Sequence, residues 1–589
     1  MSSSLLTSQC PTARLAHPLY GEVQRAQMGR LHARRLRGRI AQALADTGER
    51  RAGDTLRRAV LMLDSDLKPD PVLLTDAAHR GTELGDFVLA ERVARAAVAA
   101  GGGFESRLLL GNALGWAGRA AESDTELTTL EILACTDAQR AQAAIPRVTN
   151  LAFAFRRPAE ADRVLNAVAG TLSDSTARLE LVGLRSVLDA FLGRSVRALH
   201  KATTVLTHPG CSPAATHLAG WGFAVACGGL GRLDEADEAL QRIDARAESF
   251  EIGLHQAAIV AMPWVRGLLL AGLLDRADQA ARRYRERCQD TPGPGNMITS
   301  SMCAHVAISC GQVRTAARWL RQAMASIQNR GTGPSVWVFL LVGLPSAFGM
   351  AGDAITARQV LAEMNTVRHP AFLYLEPDVL LAWAWVAAAE GGVSEAVTLA
   401  RQAAEVATSQ GQPAVEVFAL HTAVCFGDRT LADRLAQLAT QVDGPRAPAA
   451  AAAHAAALAT DDGAALHAAS VQLEQMGALL LAADAAAQAA AAHTRQGRRG
   501  SAQAAATRAH RLAQACEGAR TPALATLTPL PLTGREREIV TLAANGLSNR
   551  QIAQRLVISI RTVENHLYRA CAKLGASNRA ELTALIHSH

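Results

Sequence analysis

Two short stretches near the C-terminal end carry side chains suited to one kind of chemistry, charge pairing and hydrogen bonding to nucleic acid: SNRQIAQRL at 548–556 and SIRTVENHL at 559–567. Ser548 and Gln551 have the spacing of a capping box, and Ser559 can cap a second helix. Only Val557, Ile558 and Ser559 join the two, which forces a sharp turn and predicts helix-turn-helix geometry. On a helix over 560–574, Val563, Leu567, Ala570 and Leu574 recur at i, i+4, i+7 and i+11 and form the face to be buried. The opposite face carries Arg561, Asn565, Tyr568 and Arg569. Glu564 lies at one edge, and Thr562, His566 and Lys573 at the other. Such a stripe of long donors on a capped helix can enter a major groove about 12 Å wide.

These helices need neighbours to hold them. Thr533 with Glu536 forms another capping box, and Asn578 with Glu581 is a variant of it. Four helices are therefore expected near 534–545, 549–556, 560–574 and 579–587, with Gly546 and Gly575 as stops. Residues 533–589 hold eight Lys or Arg against four Glu, a local excess in a chain whose 60 basic and 53 acidic residues nearly cancel. His566 has no second ligand near it in sequence, so it reads as structural or phosphate-positioning. Glu536 and Glu581 read as caps.

The remaining 500 or so residues supply no catalytic grouping. No Ser/His/Asp set, metal-like Cys/His cluster or glycine-rich strand-to-helix loop is evident, so no enzyme, cofactor or metal is expected. Ten scattered cysteines include no C-x-x-C pair and suit a reduced compartment. The start MSSSLLTSQC lacks the features of a signal peptide, and no charge-free apolar run reaches 18 residues. The expected location is the cytoplasm, at the nucleoid, with no membrane partner. The basic segment GRLHARRLRGRI, with His32, Arg34, Arg35, Arg37 and Arg39, reads as a solvated helix face.

At 589 residues the chain is several times longer than one small core requires. Hydrophobic residues make up 49% of it but aromatics only 4%, so the core must be Ala, Leu and Val. That predicts an all-α protein. A local pattern also recurs, in which a helix runs into a turn and is followed by a helix with closely spaced alanines: GRLDEADEAL at 231–240, GLLDRADQAA at 272–281, GQVRTAARWL at 311–320. Turns placed at Gly118, Arg157, Gly193, Gly231, Gly272, Gly311, Gly352 and Gly392 are separated by 36 to 41 residues, and the pattern weakens after Gly427, Gly463 and Gly497. Helix pairs stacked at this period make a tetratricopeptide-like solenoid. A helical bundle with no stacking order is the alternative. The expected division is a helical N-terminal segment over 1–57, a repeat array over 58–520, a proline-rich linker at 521–532 and a helix-turn-helix domain over 533–589.

The stretch 532–582 closely resembles the DNA-binding domain of LuxR-type bacterial transcription regulators, with T-x-R-E, G-L-S-N, I-A-x-x-L, T-V-x-x-H and K-L all at family spacing. The resemblance implies that Arg561, Thr562 and Lys573 hold phosphates and that Glu564, Asn565 and Tyr568 face base edges of double-stranded promoter DNA. It also implies that the last helix helps form a homodimer on a two-fold site. Glu564 departs from the Lys common in relatives; an acidic residue cannot hold phosphate or guanine, but it can accept from cytosine N4. Residues 17–40 resemble the segment that follows the nucleotide-binding domain in the large ATP-dependent, MalT-like LuxR regulators. No G-x-x-x-x-G-K-[ST] occurs along this chain, so ATP is not expected to bind. Its best imitation, GRSVRALHKAT at 193–203, has one glycine and sets Lys201 too far along its helix.

The function expected from all this is a sequence-specific regulator whose repeat array senses an unknown protein or small-molecule effector, with RNA polymerase as a further candidate partner. Two alternatives stand beside it: an interaction scaffold with a vestigial helix-turn-helix, and an ATP-switched regulator whose ATPase lies on another polypeptide.

Overall fold

A computed structural model of the chain describes residues 6–7, 14–15, 23, 26–48, 53–248, 252–291, 293–328, 342–366, 368–442, 446–527, 532–574, 576 and 578–587. Apart from a two-residue antiparallel ladder, Leu6–Thr7 with Arg14–Leu15, the described elements are helical, as the alanine- and leucine-rich composition predicts. The helices pair antiparallel and stack. Each pair turns on one residue in the left-handed conformation: Gly85, Gly118, Arg156, Gly193, Gly231, Gly272, Gly311, Gly352, Gly391, Gly427, Asp461 and Gly497. Steps between them run from 33 to 41 residues, so the period continues through the region where the sequence pattern fades. Three turn positions differ from expectation. Arg156 and Asp461 take the left-handed role in place of Arg157 and Gly463, and Gly391 takes it in place of Gly392, which precedes the next helix with φ −82°.

Five residues after each turn comes a position that accepts only a small side chain through most of the array. Ala90, Ser123, Ala161, Ala198, Ala277, Ala316, Ala357 and Ala396 have no exposed surface, and Ala236 has 3%. A methyl group or hydroxymethyl there lets the second helix of the pair close on the first, and a bulkier side chain would hold them apart.

The stack coils until its second turn rests on its first. Contacts between the turns join residues 204 to 217 apart: Gln410 packs on Gly193, Val442 on Gly231, Met476 on Gly272 and Cys516 on Gly311. Hydrogen bonds follow the same register, with His369 Nε2 2.7 Å from Phe153 O and Glu517 Oε2 accepting from Arg314 N at 2.7 Å and Thr315 N at 2.8 Å. Glu517 thereby caps the helix that starts after Gly311, although it lies in another coil. The first part of the proline-containing segment belongs to this packing rather than to a free tether. Thr521 is buried and donates its hydroxyl to Asp484, and Leu524 and Leu527 pack against the array; residues 528–531 lie outside the described ones.

Two further expectations meet the structure here. The basic helix Arg30–Asp46 is not only a solvated face, because Arg34 donates to Ser65 O at 2.7 Å and ties it to the next helix pair. The absence of a Cys/His cluster is corrected: His421, Cys425 and His454 meet in the core, brought together across a 29-residue gap in sequence by the packing of two helices.

The turn glycines offer a direct test of coil stacking. A Cβ at Gly497 meets nothing within 4 Å, so Gly497→Ala costs only the left-handed strain, about 1–2 kcal/mol. A Cβ at Gly311 falls 2.6 Å from Cys516 Sγ and 3.1 Å from Leu480 N. Gly311→Ala is expected to lower thermal stability by roughly 1–3 kcal/mol more than Gly497→Ala. Equal losses would mean that the coils do not bear on one another.

Candidate nucleic-acid interface

Four helices close the chain: Gly534–Ala544, Asn549–Leu556, Ile560–Leu574 and Arg579–His587. Both expected capping boxes are formed, Thr533 with Glu536 and Ser548 with Gln551. Ser559 Oγ accepts from Thr562 N at 3.1 Å, and Asn578 Oδ1 accepts from Glu581 N at 2.9 Å. Gly575, the expected stop of the third helix, lies outside the described residues.

A small apolar centre fixes the angle between the second and third helices. Ile539, Leu542, Ile552, Leu556 and Val563 bury together, with Leu567 partly covered, and Ala570 joins Val540 and Leu582 in an adjoining cluster. The turn between them bends at Val557, a β-branched residue at φ 53° with 90% of its surface exposed. That backbone is strained for a branched side chain. The strain sets the third helix across the first two.

The third helix then divides as its periodicity predicts. Arg561, Glu564, Asn565, Tyr568 and Arg569 are exposed, Thr562 and His566 are half-buried, and Val563 and Ala570 are buried. Among the described residues neither Arg561 nor Arg569 has an ion-pair partner. Thr562 Oγ1 lies 2.7 Å from Ser559 Oγ, and His566 Nδ1 is buried without a partner. Lys573 differs from the rest. Its ammonium lies 2.6 Å from Glu536 Oε2, and the bond from Lys573, followed by that from the Thr533 backbone N–H, holds the Glu536 carboxyl down to about 2. Lys573 thus ties the end of this helix to the cap of the first.

Three arginines beyond that stripe matter and were not read from the sequence, because their partners are remote. Arg579 donates to Asn549 Oδ1 at 2.8 Å and to Leu547 O, pinning the last helix to the start of the second. Arg535 and Arg555 join the domain to the array. Arg555 pairs with Glu390 Oε2 at 2.7 Å and with Glu395; Glu538 Oε1 accepts from Ser394 N at 2.6 Å; and Arg535 reaches Ser394 Oγ at 3.0 Å. Burial pushes the Glu390 carboxyl up, but hydrogen bonds from Arg358 and Arg555 outweigh it and hold it below its ordinary value. Thr541 packs where a Cβ on Gly391 would stand, and Asn545 Nδ2 donates to Glu390 O at 2.8 Å. Docking uses the first two helices and leaves the exposed donors of the third uncovered.

The array itself holds a large open cavity of about 990 Å³, lined by aromatic rings that include Phe104, Trp116, Phe153, Trp221, Phe372 and Tyr374. Polar side chains also line it, among them Asn112, Gln139, Gln256, His217 and Glu180. His217 Nδ1 is buried without a partner, and Glu180 accepts from Ser212 Oγ at 2.7 Å. Lys201, the candidate phosphate lysine, lies 2.5 Å from Asp189 Oδ2 within the array.

The fold and the exposed stripe define an all-helical repeat protein that ends in a helix-turn-helix. Residues 530–586 match the family described as bacterial regulatory proteins, luxR family, and the C-terminal domain is a LuxR-family helix-turn-helix. Similar sequences include an HTH-type transcriptional regulator of Mycobacterium bovis, 51% identical over 51 residues, and a transcriptional activator protein of Bradyrhizobium diazoefficiens, 46% identical over 65 residues. The C4-dicarboxylate transport transcriptional regulatory protein of Rhodobacter capsulatus is 50% identical over 50 residues. These matches cover 8 to 10% of this chain and 6 to 27% of the relatives' own lengths. Among solved structures, the Rap protein complexed with competence and sporulation factor aligns over 58% of this chain and 98% of its own, at 13% identity and TM-score 0.41. A chain of an APC/C hetero-tetramer aligns over 87% of this chain and 98% of its own, at 14% identity and the same score. No helix among the described residues is long and apolar enough to cross a membrane.

Two outcomes test this geometry. Val557→Asn, which replaces a branched residue with one that tolerates the left-handed region, should stabilise the C-terminal domain by roughly 1 kcal/mol in thermal melts. No gain would show that the turn stores no strain. Arg555→Ala should speed amide hydrogen exchange in helix 549–556 and at residues 390–395 by about tenfold or more, as loss of a half-buried ion pair loosens both partners. Unchanged exchange would mean that the docked contact contributes no stability.

Proposed function

We propose that this chain is a sequence-specific DNA-binding transcription regulator whose repeat array senses an effector. The observation that carries the reading is the exposed stripe Arg561, Glu564, Asn565, Tyr568 and Arg569 on a helix whose other face is buried and whose start is capped. In this reading the third helix lies in the major groove of promoter DNA. Arg561 and Thr562 contact phosphates near the helix start, and Arg569 follows the backbone. Asn565 pairs with adenine, Glu564 accepts from cytosine N4, and Tyr568 offers an apolar ring to a thymine methyl. His566 orients the helix against the backbone. Lys573 reaches a phosphate only by leaving Glu536.

The remaining parts follow the same logic. A second copy of the chain would pair through the last helix, so that two domains meet a two-fold site, and RNA polymerase is the partner through which a bound regulator acts. The cavity of about 990 Å³ is the size of a small-molecule pocket, and its aromatic wall with a few polar groups suits a mostly apolar effector. The Glu390–Arg555 contact is the route by which a change in the array would reach the DNA-binding domain.

Salt dependence separates this reading from that of a scaffold with a vestigial helix-turn-helix. On fragments selected from genomic DNA, Arg561→Ala should weaken binding to all sequences alike and lower the slope of log K against log salt by about one. Asn565→Ala should cost on the order of 1–3 kcal/mol on the selected site and little on random DNA. Full-length protein with no salt-dependent DNA binding would establish the scaffold reading instead.

A further inference from the structure

The core of the array brings together three metal-ligating side chains that the DNA-binding reading does not use. His421 and Cys425 stand one turn apart on helix Pro413–Cys425, and His454 faces them from helix Arg446–Ala459. Their ligand atoms lie within 4.8 Å of one another, and all three residues are buried. The spacing i, i+4 puts His421 and Cys425 on one helix face, the arrangement by which a helix presents two ligands to one ion.

A fourth residue fixes which nitrogen of His454 is free. Gln488, on helix Leu479–Arg495, directs its Nε2 at Val424 O, 2.9 Å away, and Cys425 O, 3.2 Å away. Two carbonyl oxygens require an NH2 group there, so the Gln488 amide oxygen must face the other way. It lies 2.7 Å from His454 Nε2, which is therefore an N–H donor. In the neutral ring that tautomer leaves Nδ1 without a proton. His454 Nδ1 then carries a lone pair, aimed at His421 Nε2 3.0 Å away. This is the outer-shell arrangement of a metal-binding histidine, in which the remote N–H is held by a carbonyl and the other nitrogen is turned inward.

We propose that His421, Cys425 and His454 form a buried site for one thiophilic d10 ion, with Cu(I) the better match. Metal–nitrogen bonds of about 2.0–2.1 Å set ligand nitrogens roughly 3.3–3.6 Å apart, so the pair at 3.0 Å opens by a few tenths of an ångström to admit the ion. The thiol loses its proton to solvent as the Cu–S bond forms, and the His421 proton moves from Nε2 to Nδ1. One proton is released per ion, and no electron is transferred. One thiolate with two neutral imidazoles makes an uncharged complex with Cu(I) and leaves a net charge of +1 with Zn(II). The buried carboxyl of Asp484 acts on Cys425 and is placed to offset that charge, so the choice of Cu(I) rests on ligand softness and number. Soft thiolate ligation and a low ligand count favour the same ion. The site staples helix 413–425 to helix 446–459 in the coil that rests on the turn at Gly231.

The full-length chain is purified anaerobically from cells grown with added copper or added zinc, and metal content is measured alongside competition with a colorimetric Cu(I) chelator. One ion per chain is expected, with Cu(I) displacing Zn(II). Cys425→Ser should weaken Cu(I) binding at least a hundredfold, and Gln488→Leu, which keeps all three ligands and adds none, about 10- to 100-fold. Circular dichroism and melting curves report whether each variant is folded. Cobalt substitution gives an independent readout, because a cobalt–thiolate absorption band should appear in the wild type and be lost in Cys425→Ser. Absence of both ions from folded wild-type protein, or binding that survives in folded Cys425→Ser, would overturn the proposal and leave the cluster as a hydrogen-bonded core network.

Discussion

The constraint on which the rest of the structure depends is a pair of positions set five residues apart. One takes the left-handed backbone that reverses the chain, and the next is small enough to let the following helix close against the one before it. Gly272 with Ala277 and Gly311 with Ala316 show the arrangement. The glycine is needed first for its φ, as a residue with a side chain is strained there. In the array it meets a second demand, because the next coil settles on the same turn. A Cβ at Gly427 or Gly497 would meet no such contact, and at Arg156 and Asp461 a side chain is itself accommodated: Arg156 reaches Arg368 O in the next coil, and Asp461 pairs with Arg495. One residue type thus serves both the local reversal and the long-range stacking.

The C-terminal domain enters this scheme as though it were one more element of the next coil. Cys516 lies against the turn glycine at 311, Arg520 against that at 352, and Thr541 of the DNA-binding domain against that at 391. The capping follows suit. Glu517 accepts from the first amides of the helix after Gly311, and Glu538 accepts from Ser394 N after Gly391. A carboxylate supplied from outside completes the helix N-terminus in both places, where free N–H groups and the helix dipole favour negative charge. Because the domain is held by the same contacts that hold the coils, a change in coil spacing acts on its footing directly.

Much of this was legible in the sequence. The four C-terminal helices and their caps follow from local rules, with Thr533, Ser548 and Asn578 each three residues before its partner, and the structure places the helix ends within a residue of those rules. The repeat period was equally readable, because it is carried by glycines that recur at fixed spacing. What local reading cannot supply is a partner that the packing of another helix brings in. Arg555 looks like one more charge on an amphipathic helix until the fold brings Glu390 beneath it. His421 and His454 look like isolated core histidines until two helices meet. The turn was misplaced by one residue at Arg156 and Gly391 because Gly392 and Arg157 are plausible reversals by composition, and only the backbone decides between neighbours. The segment at 521–532 was read as a linker from its prolines, whereas Thr521 and Leu524 are held by packing that composition does not show.

Charge pairing differs between the two halves. In the array, many arginines are matched to carboxylates, among them Arg147 with Asp124 and Glu131, Arg434 with Glu416, and Arg508 with Glu474. Such pairs contribute modestly to stability at a surface, but they cancel the field that an unpaired row would project. On the third helix of the C-terminal domain the matching stops. Arg561 and Arg569 extend without a carboxylate partner among the described residues, and Glu536 takes up Lys573 beneath the helix rather than a donor on its outer face. In a chain whose 60 basic and 53 acidic residues nearly balance, two guanidinium groups without carboxylate partners on one exposed face are a local excess. The array and its N-terminal helix keep exposed arginines of their own, Arg35, Arg39, Arg498 and Arg499, with no ion-pair partner among the described residues, and Glu564 shares the outer face of the third helix with Arg561 and Arg569. Unpaired charge alone therefore does not single out the third helix; in the proposed function it is the hydrogen-bonding groups of Asn565 and Glu564 beside the two guanidinium groups that do.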